Sequence, residues 1–448
     1  MKILFVSLGC DKNLVDSEEM LGNLTSHHFE LTNEESEADV IVVNTCCFIE
    51  DAKRESIETI LEMAAYKEKG RLKGLIATGC LAQRYQDEIL KEIPEVDAIL
   101  GTTAYHEIAG AVTAVLEGKG YSSFQSINQA PRIGTHRMLT TGGHYAYLKI
   151  SEGCDKNCTY CIIPKVRGRF RSIPMDELVK QAEILVNRGV KELIIVAQES
   201  TMYGTDLYGK KCLHELCLKL TAIEDLHWLR ILYAYPEEIY DELITVIAQE
   251  KKICKYLDLP IQHASNHVLR RMGRRTSKEQ LLSKIQLLRK QIPDICLRTT
   301  LISGFPGETE EEHEEVKEFI REVGFDRLGV FAYSQEEDTP AAKLPDQIDE
   351  KLKQERRAEL MELQKKISFD KGQQMINRKV EILIEGTIEA EDGLPVLIGR
   401  SYRDVPNVDG YVFVHDHEAA MSRMTGDIMT VRITEASEYD LFGEVIEE

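Results

Sequence analysis

Cys154-Asp-Lys-Asn-Cys158-Thr-Tyr-Cys161, directly after the apolar run Tyr145-Ala-Tyr-Leu-Lys-Ile150, decides how the rest of the chain is read. Three cysteines fall within eight residues, separated by three and then two others. A loop this short brings all three sulfurs within bonding distance of one iron–sulfur cluster. A cubane has four irons, so three local thiolates leave one iron with no protein ligand, and that corner can bind a substrate or cofactor. An electron-transfer cluster with four cysteines cannot do this. A structural zinc knuckle would need a fourth Cys or His nearby, and none lies between Ser151 and Phe170.

Working outward, residues 141–345 repeat a strand–helix unit. Strands are predicted at 145–150, 192–197, 228–234, 256–260, 297–303 and 327–333, with helices such as 175–188 and 277–291 between them. Six successive parallel units imply a partial (β/α)6 barrel, short of the closed eight-stranded form, with its ligands at the carboxyl ends of the strands. The cysteine loop follows the first strand, which puts its cluster at that mouth. Gln198 and Glu199 follow the second strand, Gln262 and His263 the fourth, and Gly304-Phe-Pro-Gly-Glu308 the fifth. Gln198 and Gln262 read equally as satisfied rim residues or as ligand contacts. His263, standing alone, reads as structural before catalytic. Arg167, Arg169 and Arg171 form a basic strip after the loop. It is either a solvated loop or a grip for a cofactor carboxylate or an acidic target side chain.

Residues 1–140 also alternate, with strands predicted at 2–8, 40–44, 75–78 and 96–100 and helices at 17–26 and 50–66. This is the pattern of a parallel α/β sandwich, whose strands end on one edge. Cys10, Cys46 and Cys80 each lie just past one of the first three strands. Any one of them alone would be taken for a buried apolar thiol. Together at equivalent places they make a second cluster site with a vacant iron. Cys47 is adjacent but points away. Cys212, Cys217, Cys254 and Cys296 have no ligand spacing and are assigned to packing.

Residues 346–375 predict a long amphipathic helix packing on the barrel, with a coiled-coil partner as the weaker alternative. From 376 to 448 short strands alternate, at 380–385, 396–399, 411–414 and 428–436, with turns at Glu391-Asp-Gly393 and Asp409-Gly410. A small antiparallel β-barrel fits. His415-Asp-His417 is an exposed polar turn rather than a metal site. The expected organisation is therefore α/β in 1–140 and 141–375, then a β-barrel in 376–448.

The 448 residues are 29% charged and 43% hydrophobic, as in a soluble globular protein of about three domains. No apolar run approaches the roughly 18 residues of a membrane span. Met1-Lys-Ile-Leu-Phe-Val-Ser-Leu-Gly-Cys10 reads as a first strand rather than an export signal, so the expected location is the cytoplasm. Eleven cysteines, an odd number, argue for metal ligation over a disulfide framework. The net charge of -21 opposes a nucleic-acid-binding surface and suits a basic protein partner. From Glu381 onward there are sixteen acidic residues against four basic ones, the reverse of an RNA-binding footprint.

The loop spacing, with Tyr160 just before the last cysteine, closely resembles that of the radical S-adenosylmethionine enzymes. In that family the open iron holds the amino and carboxylate groups of S-adenosylmethionine, and an electron from the cluster releases a 5′-deoxyadenosyl radical. Asn44-Thr45-Cys46 and Thr78-Gly79-Cys80-Leu81 resemble the methylthiotransferases within it, and the last domain resembles their TRAM domain. The resemblance implies two 4Fe–4S clusters, one on Cys10, Cys46 and Cys80 and the other on Cys154, Cys158 and Cys161. It also implies an S-adenosylmethionine pocket lined by Tyr160, Gln198, Gln262 and Gly304. Leu259-Pro-Ile-Gln-His-Ala-Ser265 and Ala197-Gln-Glu-Ser-Thr-Met-Tyr-Gly204-Thr-Asp-Leu resemble the branch acting on a ribosomal protein, whereas the tRNA branch typically reads Gln-Ser-Gly-Ser at the former. The expected reaction is methylthiolation of the β-carbon of an aspartate on small-subunit ribosomal protein twelve, a basic partner, with an external electron donor. RNA binding is not expected as the main role, and the tRNA-modifying methylthiotransferase is the alternative. Ile173 stands where the family commonly carries an Arg, so any role for that Arg is absent or moved.

Overall fold

In the computed structural model, which describes residues 1–132, 136–390 and 393–446, the first six strands form one parallel sheet. The expected turn at Glu391-Asp392, the two terminal acids Glu447 and Glu448, and the side chain of His417 lie outside the described residues. Lys2–Ser7, Val40–Thr45 and Gly74–Gly79 are neighbours at the centre of this sheet. Every residue of the latter two is buried, as helices on both faces of a parallel sheet require. The flanking strands include Glu30–Leu31 and Tyr121–Ser123, two and three residues long, too short for the alternation that reveals a strand in sequence.

The first helix differs from its expected bounds. It runs Asp11–Ser26, from a cap at Cys10, rather than from residue 17. Its opening turn breaks the apolar period because Asp11 and Lys12 meet Tyr233 of the next domain while the Asn13 amide donates to the Leu8 and Thr45 carbonyls of its own. Met20 and Leu24 pack on the first sheet, while Val15 joins the core inside the second. Glu18 is buried against Arg137, 2.5 Å away, whose guanidinium also donates to the Tyr147 carbonyl at 2.6 Å. The helix is thus a seam between two domains.

The second sheet is parallel throughout, in the order Tyr145–Lys149, Glu192–Val196, Trp228–Ile231, Ile253–Asp258, Cys296–Ser303, Arg327–Ala332. Its first and last strands are not paired to each other, which is the partial six-stranded barrel expected. Leu193, Ile195, Leu229, Leu257 and Leu297 are fully buried between strands and helices, positions where truncation to Ala costs about 2–5 kcal/mol each. The helix Glu350–Gln373 lies along the last strand, with Gln364 donating to the Phe325 carbonyl at 2.9 Å and Arg356 paired with Glu308 at 2.9 Å. It packs on the barrel, and its buried Lys353, Arg356 and Gln364 explain why its apolar stripe is weak.

The C-terminal segment closes into a five-stranded barrel. Lys379–Glu389, Pro395–Ser401, Val412–Val414, Ile428–Ala436 and Leu441–Val445 pair antiparallel except for Val412–Val414 with Leu441–Val445, which run parallel. The sequence reading held neither this fifth strand nor the helix His417–Ser422. This barrel covers the amino-terminal ends of the six-stranded sheet. There Arg230 bonds Glu192 at 2.6 Å and the Tyr402 carbonyl at 2.6 Å, and Arg400 reaches Glu192 at 2.8 Å. The opposite, carboxyl-terminal mouth faces the first domain.

Candidate active site at the barrel mouth

The cysteine loop leaves its strand through Gly153, whose φ of +77° suits glycine; a Cβ there would stand 2.1 Å from the Arg169 carbonyl oxygen. Ser151–Glu152 pairs antiparallel with Arg171–Ser172 and closes the neck of the loop. Its far end is held by Thr159, which donates from N to the Met272 carbonyl at 2.9 Å and from Oγ1 to the Arg271 carbonyl at 2.8 Å. Donors converge on the sulfurs. The Lys156 N–H lies 3.4 Å from Cys154 Sγ and the Tyr235 hydroxyl 3.4 Å from Cys158 Sγ, with Arg274 stacked 4.3 Å above the Tyr235 ring. Burial pushes the Cys154 thiol up to about 12 and Cys161 up as well. Such groups surrender their protons to a metal rather than to solvent.

Around this loop the expected cofactor residues fall into two groups. Gln198 donates to Glu152 Oε1 at 2.8 Å, while its own Oε1, together with Ser151 Oγ and Glu199 Oε2, is buried without a hydrogen-bond partner among the described residues. Three unsatisfied oxygens at the ends of the first two strands fit a polar ligand with ammonium or hydroxyl donors. Burial raises the Glu199 carboxyl to about 7, against the Thr201 N–H that donates to it at 2.9 Å. Across the mouth, Gln262 holds a left-handed φ of +71°, a strain typical of functional rims. Gly304 also has positive φ, and its N–H is taken by Glu308 at 2.8 Å while its α-carbon faces Lys353. Tyr160 is partly buried against Val268, Met272, Phe305 and Tyr333. His263 accepts from the Ser265 N–H at 3.0 Å and lies 3.5 Å from Glu308.

The second trio is assembled by the first sheet. Cys46 and Cys80 directly follow the neighbouring strands Val40–Thr45 and Gly74–Gly79, and Cys10 caps the first helix. Gly9 lies so close that a Cβ would meet Cys46 Sγ at 3.1 Å. Burial, then the Cys80 sulfur, pushes the Cys46 thiol up to about 12, with Cys10 acting in the same direction. Ser56 clamps Cys46, accepting from its N–H and donating to its carbonyl, both at 2.9 Å. Cys47 is buried in the same apolar cluster as Cys80 and Leu81. Among the described residues no three ligand side chains close on the span of a single ion.

Asn13, absent from the sequence reading, ties the trio together. Its amide donates to the Leu8 carbonyl at 3.1 Å and the Thr45 carbonyl at 2.9 Å, and its Oδ1 lies 3.7 Å from Cys80 Sγ. The basic strip divides residue by residue. Arg169 is exposed, and Arg171 folds back on the Arg167 and Arg169 carbonyls. Arg167 is buried and bonded to Asp16, Glu152, Asn13 and Cys80, so it is neither solvated nor available to a carboxylate from outside. Ile173, at the family's Arg position, sits in the barrel core. Tyr233, beyond the third barrel strand, donates to Asp11 at 3.2 Å and lies 3.3 Å beneath Lys12. The two trios therefore occupy facing surfaces. A groove of about 590 Å³ lined by Gln83, Phe124, Gln125, Ile162, Lys165 and Val166 opens between the helix carrying Cys80 and the helix following Cys161.

Three family models match the chain: an uncharacterized protein family, UPF0004, over residues 2–101, the Radical SAM superfamily over 148–320, and the TRAM domain over 376–446. The chain is 61% identical to the ribosomal protein uS12 methylthiotransferase RimO of Lachnoclostridium phytofermentans, over 99% of both chains. It is 48% identical to the protein of the same name from Clostridioides difficile, over 100% of this chain and 99% of that one. Among solved structures, the radical S-adenosylmethionine methyltransferase TsrM of Kitasatospora setae shares the fold, with TM-score 0.56 at 14% identity over 76% of each chain.

Proposed function

The chain belongs to the RimO family of ribosomal protein uS12 methylthiotransferases, radical S-adenosylmethionine enzymes that use 4Fe–4S clusters, and we propose that it methylthiolates the β-carbon of an aspartate on uS12. The observation that carries this reading is the pairing of two three-cysteine sites across one interface, each with hydrogen-bond donors directed at its sulfurs. Cys154, Cys158 and Cys161 would hold one cluster, and Cys10, Cys46 and Cys80 the other. When bound, the clusters and S-adenosylmethionine supply the electron, the hydrogen-abstracting species and the sulfur that an unactivated carbon requires.

The chain's own residues bind, orient and shield. Gln198 and Ser151, with unsatisfied buried oxygens, would accept from the cofactor, and Tyr160, Gln262 and the Gly304 turn would complete its walls. Glu152 fixes the Gln198 amide and leaves its oxygen without a partner among the described residues. The first domain covers that mouth and excludes water from it, held by pairs such as Arg84 with Glu336 at 3.0 Å. An external reductant is required.

Part of the acidic excess of the last domain is engaged within the molecule, Glu381 with His227, Glu385 with Arg400 and Asp404 with Arg327. Glu389, Glu418 and Glu435 remain exposed, and they suit a basic ribosomal protein better than RNA. We place the reaction in the cytoplasm; among the described residues no helix is long and apolar enough to cross a membrane. Anaerobic incubation of the reconstituted enzyme with uS12 and, separately, with tRNA, followed by mass spectrometry, tests the assignment. A methylthio mass on a uS12 aspartate is expected, and one on tRNA alone would establish the other branch.

A further inference from the structure

Arg167 touches both sides of the interface, and its surroundings fix where each of its N–H groups points. Nη1 donates to Asp16 Oδ2 at 2.7 Å and to Glu152 Oε2 at 3.2 Å, Nη2 donates to Asn13 Oδ1, and Nε lies 3.4 Å from Cys80 Sγ. Lys149, paired with Asp16 and 3.0 Å from Glu152, completes a buried set of two cations and two carboxylates. With the fork held by two carboxylates and an amide, Cys80 Sγ is the acceptor that the Nε–H meets among the described residues. A guanidinium locked in this way is a fixed, charge-assisted donor to one particular sulfur.

We propose that Arg167 is a positioning residue that raises the reduction potential of the cluster on Cys10, Cys46 and Cys80 by donating to the Cys80 sulfur. This rests on the assignment of those cysteines as cluster ligands. Reduction adds negative charge to a cluster, and a hydrogen bond to a ligating thiolate stabilises that charge. The sulfurs of the other trio receive a backbone N–H and a phenol instead, so the two clusters are held apart in potential by the chain itself. The sequence places Arg167 six residues after Cys161, yet its bond to sulfur goes to the other site.

The test uses the full chain with Cys154, Cys158 and Cys161 changed to Ala, so that a single cluster remains, titrated electrochemically while its EPR signal is followed. Arg167→Gln is expected to lower the midpoint potential with iron content unchanged, and Arg167→Lys, which keeps the charge but not the fork, to fall between. In the reciprocal chain lacking Cys10, Cys46 and Cys80, Arg167→Gln is expected to leave the remaining potential where it was. An unchanged potential in the first background, or equal shifts in both, overturns the proposal. Should Arg167→Gln not retain iron, Arg167→Lys decides on the same terms. Wild-type protein binding iron for only one cluster would instead overturn the two-cluster assignment beneath it.

Discussion

Cys154, Cys158 and Cys161 arrive on one loop, whereas Cys10, Cys46 and Cys80 come from three segments that meet only because the first sheet is in register. In that sheet Ser7 lies opposite Asn44, and Thr45 opposite Gly79, so the spacing of the second trio is set by the distance between strands, about 4.8 Å. The loop trio depends on a short chain returning on itself. The strand trio depends on the whole domain being folded. Their electrostatic settings differ too: beside the loop trio lies Glu199, a carboxyl raised by burial, and beside the strand trio lies Arg167, a cation held by two carboxylates.

The largest expected effects separate the two sites by chemistry. Cys158→Ala is expected to abolish both reductive cleavage of S-adenosylmethionine and methylthio transfer. Cys46→Ala is expected to abolish transfer while cleavage to 5′-deoxyadenosine persists, as read by chromatography of the small products. Loss of cleavage in Cys46→Ala would break the division of labour between the trios.

Next come the glycines that let each site form. A Cβ at Gly153 would stand 2.1 Å from the Arg169 carbonyl, and one at Gly79, with φ +91°, 2.3 Å from Asn44 Oδ1 and 2.6 Å from the Thr45 carbonyl. Strain of this kind costs roughly 1–3 kcal/mol before neighbours move. Gly153→Ala is expected to lose the loop cluster, about half the iron, with little change in melting temperature, because only a loop is displaced. Gly79→Ala is expected to lose the other half and to melt several degrees lower, since the displaced atoms belong to the central strands. Equal melting temperatures would show that the strand trio does not depend on its sheet.

The placement of the six cysteines in the fold was legible from sequence because each trio follows a rule that needs no partner: short spacing in one, position after a strand in the other. The strand order of the six-unit barrel was legible for the same reason, since alternation is local. The partners of the sulfurs were not. Arg167 reaches Asp16 across 151 residues and Cys80 across 87, and nothing in Arg-Gly-Arg-Phe-Arg distinguishes the buried arginine from the exposed one. Asn13, which lies before the helix expected from residue 17, drew no reading at all. In the last domain, Leu441–Val445 was missed because five residues with Gly443 among them give no clean alternation. Its parallel pairing with Val412–Val414 depends on closure of the barrel, which is a property of all five strands at once.

The smallest expected effect concerns Glu199 and asks whether the acid beside the loop trio is the counterpart of the arginine beside the other. Burial raises this carboxyl from the usual 4.5 to about 7. The folded chain therefore holds a proton there between about pH 4.5 and 7 that the unfolded chain has already released. Across that window stability falls as pH rises: the contribution is fully present below about 4.5 and gone above about 7. A shift of this size corresponds to roughly 3 kcal/mol at most. Denaturant titrations at pH 5 and pH 7.5 on wild type and Glu199→Gln read it directly, since the glutamine keeps the shape and cannot titrate. The wild type is expected to lose stability relative to the variant as pH rises; parallel curves would place Glu199 in a solvated setting and remove the contrast with Arg167.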